Sequence, residues 1–203
     1  QVQADLVQAM QRIGEQAERA GRVIKSVADF VRRREQVREA VAPTDLLDAI
    51  TPLLGLQAKK LDIRVETRIA PGCPPVLCDR TMVEQVLLNL ARNGVQAMPL
   101  GDPPSASGLR VLGIQIAPQP ADAALAGEWV RFSVTDHGQG LPPEVAARIF
   151  TPFFTTKAEG MGLGLSLCRT VVEQHGGYLG FAPHEPRGTV FTFTLPAHQP
   201  SKS

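Results

Sequence analysis

The chain has 203 residues, 43% of them apolar, with 21 Lys and Arg against 20 Asp and Glu for a net charge of +1. That leaves room for one ordinary domain plus an appendage, and it excludes a polyelectrolyte with the basic footprint of a nucleic-acid binder. No apolar run approaches the roughly 18 residues of a membrane span, and no signal-peptide pattern opens the chain.

Residues 1 to about 40 read as one long helix. Leu6, Met10, Ile13, Ala17, Ala20, Ile24, Val27 and Val31 recur in alternating spacings of four and three, with charges on the other faces. That is an a/d seam of about four heptads. Gly14 and Gly21 each weaken an isolated helix by about 1 kcal/mol, so the seam calls for a partner helix. Arg32-Arg33-Arg34 reads as a solvated charge run. Pro43 ends this helix, and Thr44 or Asp45 can cap the next, which carries Leu46, Leu47, Ile50 and Leu54. Residues 61–69 alternate with the period of a half-buried strand.

Asp79 or Thr81 starts a further helix, Thr81 and Glu84 fitting a capping box. A Pro/Gly/Ser loop spans 99–108, and strand patterns follow at 110–117 and 129–135. An irregular segment runs to about 162, then a helix over 163–175 ends at Gly176-Gly177. Residues 178–182 and 189–195 read as a closing hairpin. Strands and helices mix without strict βαβ alternation, which predicts an α+β fold, a two-layer sandwich of a mixed sheet against helices. Cys73, Cys78 and Cys168 are too few and too irregularly spaced for a disulfide framework or a zinc site, and read as reduced thiols.

Four motifs stand in sequence order. The first is Glu84-Gln85-Val86-Leu87-Leu88-Asn89-Leu90-Ala91-Arg92-Asn93, where Asn89 and Asn93 sit one turn apart at the rim of a stripe formed by Val83, Leu87, Leu90 and Gly94. A neutral amide oxygen at Asn93 suits a Mg²⁺ that takes its remaining ligands from triphosphate and water. Asn89 cannot act as a general base, which favours transfer to a protein nucleophile over hydrolysis. The second is Asp136-His137-Gly138-Gln139-Gly140 after a strand; alone it is often just a turn, but a carboxylate at a strand end can accept the exocyclic amine of adenine. The third is Phe150-Thr151-Pro152-Phe153-Phe154-Thr155-Thr156-Lys157, whose three aromatics read as anchors of a mobile lid and whose lysine can neutralise phosphate. The fourth, Gly160-Met161-Gly162-Leu163-Gly164-Leu165, opens a helix whose backbone N–H groups suit an anion.

In this order the motifs resemble the catalytic ATP-binding domain of bacterial sensor histidine kinases, in the ATPase superfamily shared with gyrase, Hsp90 and MutL. The resemblance covers nearly the whole chain. It implies a Bergerat-type ATP-binding fold over 43–198, preceded at 1–42 by the second helix of a dimerisation hairpin and followed by a tail at 199–203. It assigns catalytic roles to Asn89, Asn93 and Lys157, and the magnesium to Asn93. It places nucleotide contacts at Asn89, Arg92, Asn93, Asp136, Gly138, Gly140, Lys157, Gly160, Gly162, Leu163, Gly164, Leu165 and Thr189. The implied cofactors are ATP and Mg²⁺. The implied partners are a response-regulator receiver domain, an upstream sensor domain and a second copy through the N-terminal helix, with no nucleic acid.

The resemblance further implies a cytoplasmic domain, in a full-length sensor that can be membrane-anchored. Family members phosphorylate a histidine on the first helix of the hairpin. Here the histidines are His137, His175, His184 and His198, all beyond the first motif. His184-Glu185 imitates the phosphoacceptor dipeptide, but Pro186 and the surrounding loop pattern argue against a helix there. The expectation is therefore a piece of a longer protein, beginning at Gln1, that binds ATP without phosphorylating itself. The run from Arg19 to Ile24 and the run from Phe30 to Arg34 resemble dicarboxylate-sensor and oxygen-sensor kinases. Two other readings stay open: a superfamily ATPase driving conformational change, and a non-catalytic nucleotide-binding module.

Overall fold

The computed structural model describes residues 37–99, 110–119, 127–157 and 160–199, together with positions 7, 10, 13, 14, 17 and 21. Those six positions are helical. The remainder of the expected helix over 1–36 lies outside the described residues, as do the loop residues 100–109 and the tail from 200.

The fold is built on a five-stranded sheet in the order β2-β4-β5-β7-β6, formed by β2 (Arg64–Ile69), β4 (Val111–Gln119), β5 (Trp129–Asp136), β6 (Leu179–Pro183) and β7 (Thr189–Pro196). β2 runs parallel to β4, and the other pairings are antiparallel. A separate antiparallel pair joins β1 (Glu39–Val41) to β3 (Val76–Cys78). Alternation fixes which face is buried. Leu112, Ile114 and Ile116 of β4, Val130, Phe132 and Val134 of β5, and Phe191, Phe193 and Leu195 of β7 all point into the core. Phe132 and Phe193 are register partners, and their rings stack at 4.6 Å.

Helices cover this face. α1 (Pro43–Lys60) buries Leu46, Leu47, Ile50, Leu54 and Ala58, an i, i+4 stripe. α2 (Arg80–Gln96) buries Val83, Leu87, Leu90 and Gly94 on the stripe the sequence predicts. α3 (Pro143–Ala146) is a single turn, and α4 (Gly164–Gln174) packs Cys168 and Val172 inward. The result is a two-layer α+β sandwich with a mixed sheet.

Several local expectations are corrected. The long helix does not reach residue 40, because 39–41 form β1. Ala42 is extended at φ −70° and ψ 138°, the conformation a following proline imposes. Neither Thr44 nor Asp45 caps α1. The helix begins at Pro43, whose fixed φ and missing N–H suit the first helical position. Asp79, not Thr81, caps α2: its carboxylate accepts from Met82 N at 3.1 Å, and Thr81 already lies inside the helix. Such a cap contributes about 1 kcal/mol. The strand expected from 61 begins at Arg64, after a turn with Asp62 at φ 53°. Strands β1 and β3 and the turn α3 went unpredicted, being too short to show a period.

Candidate functional site

Three segments converge beside α2. Asn89 and Asn93 are both half-buried, because the stripe beside them is turned fully into the core. Asn93 Oδ1 accepts from Lys157 Nζ at 3.0 Å, and the same ammonium donates to Gln96 Oε1. Partial desolvation lowers the proton affinity of Lys157, although the residue is exposed overall. Asn89 Nδ2 donates to Cys168 Sγ at 3.3 Å. Burial pushes that thiol up to about 12, so it stays protonated. α4 begins directly against Asn89: a Cβ added at Gly164 would lie 2.8 Å from Asn89 Nδ2.

The first turn of α4 has no side-chain cap and no acidic residue. Its leading N–H groups therefore lack an anionic side chain of their own, which suits a bound anion. Leu163 is buried and Leu165 packs against the core, so each can offer only backbone to a ligand. Gly160 and Gly162 lie against the segment that carries Lys157. A Cβ on Gly160 would meet Thr155 Oγ1, and one on Gly162 would meet the Phe153 carbonyl carbon.

Asp136 ends β5 and is only 3% exposed. Burial raises its pKa above the ordinary carboxylate range. Hydrogen bonds from the backbone of Gly138 and Thr189 oppose that shift, as does the charge of His137. Gly138 N donates to Oδ1 at 2.9 Å. Thr189, buried, is the register partner of Asp136 on β7. Gly140 turns the chain at φ 75° close to Gly188 O. Arg92 is exposed, and among the described residues no hydrogen bond or ion pair ties it to the others.

The aromatic segment is seated unevenly. Phe150 packs on the core beside Phe181, with the Arg169 guanidinium 4.5 Å above its ring, and Arg148 lies 4.5 Å over Phe154. Phe153 contradicts the expectation of three anchors: it is 67% exposed and sits at φ 65°. A positive φ turns the chain sharply there and aims the ring at solvent. A cavity of about 430 Å³ lies beside Phe150, Arg169 and Tyr178, and one of about 520 Å³ lies between α1 and β2.

Sequence reasoning missed Gln96, one turn beyond Asn93 on the same rim, and Cys168, the partner that orients Asn89. It also placed His175 incompletely. The ring does bond a carbonyl at the end of α4, Nδ1 to Val171 O at 2.7 Å, but Nε2 accepts from Asp79 N at 3.0 Å. One nitrogen donates while the other accepts, so the ring is neutral and cannot supply a positive charge to the helix end. Burial lowers its pKa; the Val171 carbonyl opposes this, Arg38 adds to it, and Asp79 opposes it.

The folded state thus takes up the His175 proton less readily than the unfolded chain. Its contribution is full above the ordinary histidine value of about 6.5 and declines as pH falls below it. The urea midpoint should drop from about pH 7.5 to about pH 5.5, more steeply than in His175→Gln. Parallel curves for the two proteins would rule this origin out.

Residues 78–199 match the family model described as histidine kinase-, DNA gyrase B- and HSP90-like ATPase. The chain is 41% identical over 194 residues to the C4-dicarboxylate transport sensor protein DctS of Rhodobacter capsulatus, covering 96% of this chain and 28% of that protein. Among solved structures, full-length ShkA in complex with AMPPNP superposes with a TM-score of 0.63 at 27% identity, covering 81% of this chain and 32% of that one. The histidine kinase ThkA in complex with the response regulator TrrA reaches a TM-score of 0.68 at 27% identity, covering 94% and 51%. The chain spans 28% to 38% of the length of the curated relatives it matches. No helix among the described residues is long and apolar enough to cross a membrane.

Proposed function

Because the chain belongs to the histidine kinase-, DNA gyrase B- and HSP90-like ATPase family and is similar throughout to sensor histidine kinases, we propose that it binds Mg-ATP and transfers the γ-phosphoryl to a histidine outside these 203 residues. The observation that carries this reading is Asp136. A buried carboxylate held by backbone amides, with no cationic side chain bonded to it among the described residues, is costly unless a ligand uses it. At the end of β5 it would accept the exocyclic amine of adenine, which a guanine cannot offer at that position. Thr189 and the Gly138–Gly140 turn would border the base.

The phosphates would extend toward α2 and the start of α4. There the uncapped N–H groups of α4, with Lys157, would hold their charge, and Gln96 would keep the lysine aimed. Asn93 supplies one neutral oxygen, and among the described residues no group of three His, Cys, Asp or Glu side chains stands together. That donor set fits a magnesium ion that arrives with the triphosphate, supplying charge neutralisation there. Asn89, held to Cys168, presents an amide where a hydrolase needs a base. Catalysis would therefore rest on positioning and on charge neutralisation. The N-terminal helix would pair with a second copy, and a response-regulator receiver domain would take the phosphoryl onward. ThkA, bound to a response regulator, makes that partner class reasonable.

Titration calorimetry tests the base assignment. ATP or ADP should bind, with GTP much weaker. Loss of a buried charge-assisted contact removes about 1.5–3 kcal/mol, so Asp136→Ala should weaken ADP by roughly tenfold or more. Equal affinity for ATP and GTP would defeat the adenine assignment.

A further inference from the structure

His137 and His184 play no part in the chemistry above, yet the fold brings them together from distant points in the sequence. His137 follows the last residue of β5, and His184 follows the last residue of β6. Their ring centroids lie 4.8 Å apart with the planes at 89°. We propose that the two imidazoles form a chelating pair for a borderline divalent transition ion such as Zn²⁺, Ni²⁺ or Co²⁺.

Two features support the pair as a site. The first is distance. A metal–nitrogen bond of about 2.0–2.1 Å, continued through half an imidazole ring, puts two ligating rings about 5 Å apart, centre to centre, around a tetrahedral ion. The observed separation of 4.8 Å is close to this, with the rings in an edge-type contact. The second is tautomer. His137 Nδ1 lies 3.0 Å from Val111 O, an acceptor that fixes the proton on Nδ1 and leaves a lone pair on Nε2. A backbone carbonyl holding the far nitrogen is the usual outer support of a metal-binding histidine.

The backbone around the pair is already rigid. His184 N donates to Gly188 O at 3.1 Å, closing the β6–β7 turn. Gly188 in turn packs against the Asp136 carbonyl and the His137 Cα. Both rings are half-buried, so water can reach them and complete the coordination. With two protein ligands, the ion would bind weakly and exchange readily. It would also bridge β5 to the β6–β7 turn beside Asp136.

The test uses the metal-stripped chain without nucleotide, titrated with Co²⁺ and, separately, with Zn²⁺ against a chromophoric competitor. One ion per chain should bind, and the Co²⁺ spectrum should lack a thiolate charge-transfer band. His184→Gln and His137→Gln should each weaken binding at least tenfold, with the double variant little worse than either. His198→Gln should bind like the parent. Lowering the pH to about 5.5 should release the ion as the rings take protons. Circular dichroism checks that each variant remains folded, and His184→Gln, on a turn, guards against a folding defect in His137→Gln. Unchanged affinity in both variants, or a thiolate band showing that a cysteine holds the ion, would overturn the proposal.

Discussion

Gly188→Ala should lose about 2–6 kcal/mol of stability, a large part of the roughly 5–15 kcal/mol that holds a domain together. Gly188 sits at φ +124°, a region that L residues rarely visit. Forcing a side chain there stores of order 1–3 kcal/mol. The added Cβ would also lie 1.9 Å from the Asp136 carbonyl oxygen and 2.9 Å from His137 Cα. Relieving that overlap moves β5 away from the β6–β7 turn, at a further cost of about 1–3 kcal/mol. Urea unfolding measures the loss. The displacement falls directly on Asp136, so ADP affinity should drop in the same protein. A variant within about 0.5 kcal/mol of the parent would show that the turn is soft and that the close approach carries no weight.

The second large effect concerns phosphoryl transfer. Incubated alone with labelled ATP, the chain should take up no acid-labile phosphate. His175 is buried and bonded through both nitrogens, while His184 lies on a tight turn. Mixed with a separate protein that carries the first helix of the hairpin, the chain should label that helix slowly, without the advantage of a tethered donor. Asn93→Ala should then reduce transfer by about a hundredfold or more, the size of effect seen when one fixed electrostatic partner of a transition state is removed. The substitution also releases Lys157 from one of its two amide partners. His184→Gln should leave transfer intact. Strong self-labelling lost in His184→Gln or His175→Gln would place the nucleophile inside this chain and refute the account.

Much of this architecture could be read before any coordinates. Strong periods made the helices α1, α2 and α4 and the strands β4 to β7 legible. The α+β class followed from their order, and the four motifs pointed to the family. What escaped has physical reasons. Three-residue strands such as Val76–Cys78 are paired by distant segments and leave no local period. The start of α1 depended on a proline that acts as a first helical residue, not as a stop. Phe153 carries an apolar ring that composition assigns to the interior, but its positive φ sends it outward, and only the backbone reveals that. Gln96 was within reach, since a rim holding Asn89 and Asn93 extends one turn further. Cys168 was not, because its role depends on α4 packing across α2.

That packing bears on how a nucleotide bound as proposed would leave. α2 and α4 are joined at two levels, by Asn89 to Cys168 near the phosphate end and by Asp79 to His175 at the far end. With the helix pair pinned twice, passage in or out would fall to the stretch from Leu141 to Lys157. One arginine–phenylalanine stack fastens that stretch to α4, and another folds it on itself. Each is worth on the order of 0.5–1 kcal/mol at an exposed site. The residence time of ADP would then depend on Arg148 and Arg169, neither of which lies among the residues proposed to touch the nucleotide, and could be altered without disturbing the transfer step.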